Sequence, residues 1–208
     1  MSELTHSERL VFVDVDTQVD FMLPGGRLYV PQAEEIVPKL RELMLWARAH
    51  KVPIVSTSDA HAPDDPEFAR WPPHCVAGTP GQQHIPETLF ADAVVIENSP
   101  AAFHLPRGWV GQMVVEKRLY DFSTNVNIED ILAFLAPSRF VVFGVATEYC
   151  VRSSVLALLK RGLPVAVVGD AIKAISEESG RKAIEEMVAA GAQLVTTAEV
   201  CEPTRPSS

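Results

Sequence analysis

Cysteine is scarce in this chain: three among 208 residues, far apart at Cys75, Cys150 and Cys201. An odd, dispersed set argues against a disulfide scaffold and for a reducing compartment, so a cytoplasmic location is the expectation. Basic residues are outnumbered as well, 18 Lys and Arg against 27 Asp and Glu, giving a formal net charge of −9. An acidic protein is poorly suited to a phosphate backbone, so no nucleic-acid partner is expected. No apolar run approaches the ~20 residues that span a membrane, and no membrane partner is expected. The opening MSELTHSERL lacks a basic stretch followed by an apolar one, so no export leader is expected either. Internal repeats and low-complexity segments are also missing.

What is present suits a globular chain: 47% of residues are hydrophobic and 22% charged. Its length accommodates one domain, residues 1–208, with a full core. Strand-like segments fall at Leu10–Asp16, Val52–Ser56, Ala93–Glu97, Met113–Glu116, Phe140–Ala146, Pro164–Val168 and Gln193–Thr196. Helical spacing falls at Glu34–His50, Ile128–Leu135, Glu148–Lys160 and Ser176–Ala190. Ser176 reads as an N-cap, and Gly162 and Gly191 as helix stops. This βαβ repetition predicts an α/β fold, a doubly wound, mainly parallel sheet with helices on both faces. The stretch from about 60 to 111 is rich in Pro, His and Gly and reads as a loop-rich functional or lid region. The tail from Glu202 to Ser208 reads as frayed.

The run FVVFGVATEYCVRSS places Cys150 where a buried strand hands over to a helix. Open α/β sheets bind ligands at that edge. A helix N-terminus there is expected to lower the thiol's pKa toward the reactive thiolate. The ordinary alternative is a buried cysteine acting as a small hydrophobe. Hydrolysis by a cysteine also needs a proton carrier and oxyanion donors. Asp16, closing the first strand, and Lys117, closing MVVEK, point to the same crevice, and backbone N–H groups around Ala146 and Cys150 are candidate oxyanion donors. Singly, Asp16 reads equally as a turn residue and Lys117 as a solvated charge. Asp14 shares a strand face with Asp16 by the period-two rule, and reads as a buried hydrogen-bonded carboxylate or as a competitor for the catalytic role.

Asp59 and His61 in SDAH, with His74 in WPPHC, form a plausible ligand set for one divalent ion. Mixed imidazole and carboxylate donors suit zinc, iron or manganese. The alternative is a pair of loop histidines capping turns. His6, His84 and His104 read as surface or loop residues, Cys75 as structural, Asp64 and Asp65 as a turn, and Asp170 as a cap or loop anchor.

Taken together, DTQVDFMLPGG (Asp16–Gly26), SDAH (Ser58–His61), WPPHCVAGTPG (Trp71–Gly81), VVEK (Val114–Lys117) and GVATEYCVRSS (Gly144–Ser154) resemble the isochorismatase-like cysteine hydrolases, and within them the nicotinamidases. The pieces occur in family order across nearly the whole chain. The resemblance implies a six-stranded sheet and a catalytic triad of Asp16, Lys117 and Cys150. It further implies a metal held by Asp59, His61 and His74, zinc first among the candidates, and a cis peptide at Val145–Ala146. It implies ring packing by Phe21 and Trp71, and homo-oligomers. Tyr120 and Phe122, in KRLYDFSTNVN, are further pocket candidates, although this segment departs from the family pattern. Residues 98–111 read as an insertion near the site.

The activity implied is hydrolysis of a small carboxamide, nicotinamide to nicotinate and ammonia, through a cysteine thioester. The alternatives are another small-amide or ureido hydrolase of the same superfamily, or a redox-sensing protein in which Cys150 is the oxidant target.

Overall fold

The computed structural model describes residues 9–100, 105–106 and 108–202. His6, His104 and most of the Glu202–Ser208 tail lie outside them. Seven parallel strands form the sheet: β1 (Leu10–Val15), β2 (Ile54–Asp59), β3 (Val94–Ile96), β4 (Gln112–Lys117), β5 (Arg139–Val145), β6 (Val165–Lys173) and β7 (Gln193–Val195). Their order is β3-β4-β2-β1-β5-β6-β7. All seven segments read from the sequence are there, one more than the six-stranded sheet implied by the resemblance.

The chain builds outward from β1 to one edge, then returns to β1's other side to lay down β5, β6 and β7. The carboxyl ends of β4, β2, β1 and β5 therefore stand side by side. This is the crevice in which doubly wound sheets hold ligands.

Six α-helices cover the sheet in the described residues: α1 (Val19–Met22), α2 (Val37–Ala49), α3 (Ile128–Leu135), α4 (Arg152–Lys160), α5 (Glu177–Ala189) and α6 (Thr197–Cys201). Alternation along β1 separates the two cores. Val11, Val13 and Val15 join Ile131 of α3, Val155 of α4 and Met187 of α5. Phe12, on the other face, joins Leu40, Leu43 and Met44 of α2. Burying such side chains from both faces is what holds the layers together, at roughly 1.5–3 kcal/mol for each large one.

Several local signals worked as expected. The Ser176 hydroxyl accepts from the Ser179 N–H and caps α5. Gly162 and Gly191 adopt the positive φ that ends a helix, +75° and +108°. Asp170 anchors the start of α6, accepting from the Thr197 N–H at 2.7 Å. Others ran differently. The helix expected from Glu34 begins as a 3-10 turn (Ala33–Ile36) and becomes α-helical at Val37, with Pro38 in its first turn, where a missing N–H costs nothing. Strand β2 runs on through Thr57, Ser58 and Asp59. These polar residues broke the apolar pattern, yet all three are buried: Thr57 bonds Asp16 and Asp59 pairs with Lys117. The π-helical turn Thr147–Val151 precedes α4, so Cys150 sits inside a wide turn and not ahead of a regular helix.

Candidate active site

Each reactive side chain is delivered by a strand end. Asp16 follows β1 with φ +49°, a left-handed conformation that a side-chain-bearing residue rarely adopts. That twist breaks the strand's alternation. Asp14 and Asp16 consequently part company, and the expectation that they share a face is corrected. Asp16 turns to Thr57 and Lys117, while Asp14 turns to a separate buried cluster.

Lys117, at the end of β4, is wholly buried. Its Nζ stands 2.8 Å from Asp16 Oδ2 and 2.5 Å from Asp59 Oδ1. It also lies 3.7 Å from Cys150 Sγ. The Thr57 hydroxyl donates to Asp16 Oδ1 at 2.5 Å and fixes the carboxylate's remaining oxygen. The solvated-lysine alternative is thereby gone: a buried ammonium needs such partners.

The electrostatics follow. Burial pushes Asp16 up to about 6, against the pull of Lys117. Burial acts on Asp59 the same way, but Lys117 and His61 outweigh it and hold Asp59 at about 2. Lys117 loses from burial and gains more from Asp16 and Asp59, so its pKa lies well above the usual lysine value. Burial, followed by the Asp16 charge, pushes the Cys150 thiol well up. This corrects the expectation of a thiol lowered by a helix end. In the resting site the sulfur keeps its proton, and Asp16 is the adjacent group able to take it.

Gly144 allows this arrangement. Its φ is +116°, and a Cβ there would lie 2.1 Å from the Val15 carbonyl oxygen. Only glycine lets β5 press against β1 just before the Cys150 turn. The Val145–Ala146 peptide that follows is cis, as the resemblance implies.

Beside the thiol is a narrow cleft. Asp16, Asp59, His74, Ala146 and Cys150 are in its lining, and Asp16, Asp59 and Cys150 bring donor atoms within 4.8 Å of one another. Phe21, Trp71, Tyr120 and Tyr149 supply the aromatic part of its lining. A mostly apolar cleft with a few convergent polar groups is the usual form of a small-molecule site. The Trp71 indole N–H donates to the Tyr120 hydroxyl at 3.0 Å. Tyr149 packs against both rings, with centroids 5.5 Å from Trp71 and 5.6 Å from Tyr120. Phe21 packs on His74 at 5.4 Å. Phe122, by contrast, lies in the core below and does not line the cleft. Nor does any described residue of 98–111. Trp109 packs instead toward Phe134, next to α3.

Asp59, His61 and His74 come together as the sequence suggested, with one donor atom from each within 4.8 Å of the others. Asp59 Oδ2 stands 3.7 Å from His61 Nε2 and 3.9 Å from His74 Nε2. His61 is fully buried, and neither of its ring nitrogens has an aligned hydrogen-bond partner. A buried, unpartnered imidazole facing a carboxylate and a second imidazole has the donor chemistry of a zinc-type site, and these residues fit a divalent ion.

Some contributors escaped the sequence reading. The Gln18 side chain reads both backbone groups of Asp59, donating to its carbonyl at 2.9 Å and accepting from its N–H at 2.8 Å. Asp20 ties the loops together, accepting from Arg27 N at 3.0 Å and from Cys75 N at 2.8 Å, next to His74. Both lie in the DTQVDF run, whose polar residues at a strand-to-helix junction were the available signal. Glu67, half-buried, lines the cleft 4.0 Å from His61 Nε2, and burial raises its carboxyl. Cys75 is buried and structural, as expected, with burial raising its thiol. His84 is not a surface residue: it is buried, its Nδ1 3.0 Å from the oxygen of the Thr17 hydroxyl, whose proton goes to Asp14.

The isochorismatase-domain model matches residues 10–106 and 98–199. The nicotinamidase of Escherichia coli is 28% identical over 211 residues, covering 89% of this chain and 93% of the relative. The nicotinamidase/pyrazinamidase of Mycobacterium tuberculosis is 28% identical over 190 residues, covering 87% and 95%. Among solved structures, the pyrazinamidase of Pyrococcus horikoshii in complex with zinc is 31% identical, with a TM-score of 0.75, covering 90% of this chain and 99% of that one.

Proposed function

Since the chain belongs to the isochorismatase-domain family, we propose that it is a cysteine amidohydrolase that cleaves nicotinamide to nicotinate and ammonia. One observation carries the reading. A buried lysine joins a carboxylate, a thiol and a metal-capable set, and that constellation borders one aromatic cleft.

The chemistry follows from the distances and charges. Asp16, with a carboxyl raised toward neutrality, takes the Cys150 thiol proton as the sulfur attacks the carboxamide carbon. Lys117 stabilises the negative charge shared by Asp16 and the sulfur. Backbone N–H groups of Ala146 and Cys150 serve as donors to the oxyanion that forms. Asp16 then passes its proton to the nitrogen, the C–N bond breaks, and ammonia leaves a thioester on Cys150. Water attacks that thioester with Asp16 as the base. The C–S bond breaks, the sulfur is reprotonated, and the carboxylic acid is released. General acid–base help is worth roughly 10²–10⁴-fold, and an oxyanion donor on the order of 10²–10³.

Asp59, His61 and His74 would hold the divalent ion, proposed to be zinc. When bound, it supplies a Lewis-acidic point that a pyridine nitrogen can occupy. Phe21, Trp71, Tyr120 and Tyr149 are then placed to pack on the ring while the carboxamide reaches Cys150. This pairing of an imidazole-rich ion site with an aromatic wall favours a pyridine carboxamide over a ureido compound. The names of the relatives support the same choice. A single folded domain in homo-oligomeric form belongs to the proposal. Among the described residues, no helix is long and apolar enough to cross a membrane.

The test is a panel of nicotinamide, pyrazinamide, N-carbamoyl amino acids and aliphatic amides, scored by ammonia release. Nicotinamide and pyrazinamide are expected to have the highest kcat/KM. Preference for an N-carbamoyl compound would overturn the substrate assignment.

A further inference from the structure

The structure assigns Asp65, a residue outside the ligand set, the role of orienting His61 toward the ion. This rests on the reading of Asp59, His61 and His74 as metal ligands. A neutral imidazole carries its proton on one nitrogen, and only the other can ligate. His61 Nδ1 stands 3.1 Å from Asp65 Oδ2, and its Nε2 faces Asp59 Oδ2 at 3.7 Å. An ionised carboxylate can only accept, so Asp65 favours the proton on Nδ1 and leaves the Nε2 lone pair toward Asp59. A carboxylate behind a ligating histidine fixes its tautomer and raises its basicity.

His74 shows the same division with a different acceptor. Its Nδ1 lies 2.8 Å from the Pro72 carbonyl oxygen, and its Nε2 faces Asp59. Both rings thus offer the same nitrogen to the same carboxylate oxygen.

Asp65 is itself held. Its Oδ1 accepts from the Glu67 N–H at 2.9 Å and caps the 3-10 turn Pro66–Ala69. That turn carries Phe68, whose ring packs 5.5 Å from His61 and 5.8 Å from His74. The segment that reads as a plain turn in sequence is therefore the outer wall of the ion site. His61, Asp65 and Glu67 could also be taken as an ion cluster of their own. Asp65 Oδ1 is already taken by the turn and Oδ2 faces Nδ1, the nitrogen turned away from Asp59, and this favours orientation over ligation. The Nδ1 approach is close but not in line with the ring N–H. Engagement of Nε2 is the condition under which the ring's orientation counts.

The test compares the full chain with Asp65→Ser and Asp65→Asn. Serine retains a hydroxyl to cap the turn but is too short for His61. Asparagine is isosteric but has one acceptor oxygen where Asp65 uses two. Each protein is stripped of metal and titrated with zinc against a chromophoric chelator, with His61→Ala and His74→Ala alongside. Both Asp65 variants are expected to bind one zinc with affinity about 10–100-fold weaker. In the zinc-loaded, ¹⁵N-labelled wild-type chain, His61 is expected to show its proton on Nδ1. Wild-type affinity in the Asp65 variants, with binding lost in His61→Ala, would overturn the Asp65 role and leave the ligand set standing. A proton on Nε2 of His61 would also overturn it. Unchanged zinc binding in His61→Ala and His74→Ala would instead overturn the ligand set, and the Asp65 role with it.

Discussion

Lys117 Nζ touches Asp59 Oδ1 at 2.5 Å, which makes one ammonium the shared neighbour of the proton carrier and of the metal-capable carboxylate. Replacing it by methionine would leave two buried carboxylates facing each other without a cation. Lys117→Met is therefore expected to lose about 3–5 kcal/mol of stability, as seen when one partner of a buried pair is removed. Chemical denaturation checks this. A loss within 1 kcal/mol would mean that the carboxylates simply take up protons.

The hidden cluster behind β1 gives a pH signature. Burial pushes Asp14 up to about 7, against hydrogen bonds from Ser56 and Thr17. A carboxyl raised in the folded state contributes stability below its unfolded value, near 4, and loses that contribution as pH rises to about 7. His84 works in the opposite sense, since burial lowers it to about 4 and its contribution is lost as pH falls from about 6.5 toward 4. Asp14→Asn removes the first effect. Its stability relative to the wild-type chain is expected to improve by a few kcal/mol between pH 4 and pH 8. Urea titrations across that range would show it, and a flat difference would contradict the burial of an ionisable Asp14.

Stripping the divalent ion is expected to abolish most ammonia release from nicotinamide, with recovery on adding zinc. His74→Ala is expected to respond poorly to the added metal. Full activity in a chain shown by elemental analysis to be metal-free would confine the ion to a structural role or to none.

The aromatic wall sets affinity for the ring. Trp71→Phe keeps the packing but removes the N–H that the Tyr120 hydroxyl accepts. One net hydrogen bond is worth about 0.5–1.5 kcal/mol, so KM is expected to rise roughly 2–10-fold with little change in kcat. Steady-state kinetics separates the two, and an effect on kcat alone would place Trp71 in the chemistry and not in ring binding.

The strand ends at Asp16 and Lys117 were legible because apolar runs stop there at polar residues, whereas β2 runs on beyond its apolar stretch to reach Asp59. What the sequence hid was direction. The positive φ of Asp16 sends its carboxylate away from Asp14, and no periodicity reveals a single left-handed residue. His84 looked like a loop residue because its partners, Thr17 and Asp14, lie nearly 70 positions earlier in the chain. Tyr149 looked like part of a helix, and only the wide turn at Thr147–Val151 brings it to the cleft. The short α6 was missed although Thr196 and Glu199 form a capping box, a pattern readable in advance. The thiol's resting state could not be read at all, because it depends on how deeply Cys150 is buried and on how near Asp16 comes.

The central claim is that Cys150 attacks a pyridine carboxamide while Asp16 moves the proton. Ammonia release from nicotinamide, measured for the zinc-loaded wild-type chain and for Cys150→Ala, tests it most directly. The wild-type chain is expected to form ammonia and nicotinate in equal amounts, and Cys150→Ala, folded and still binding zinc, is expected to fall by at least about 10³-fold. Substantial release by Cys150→Ala, or none from nicotinamide by the wild-type chain, would contradict it.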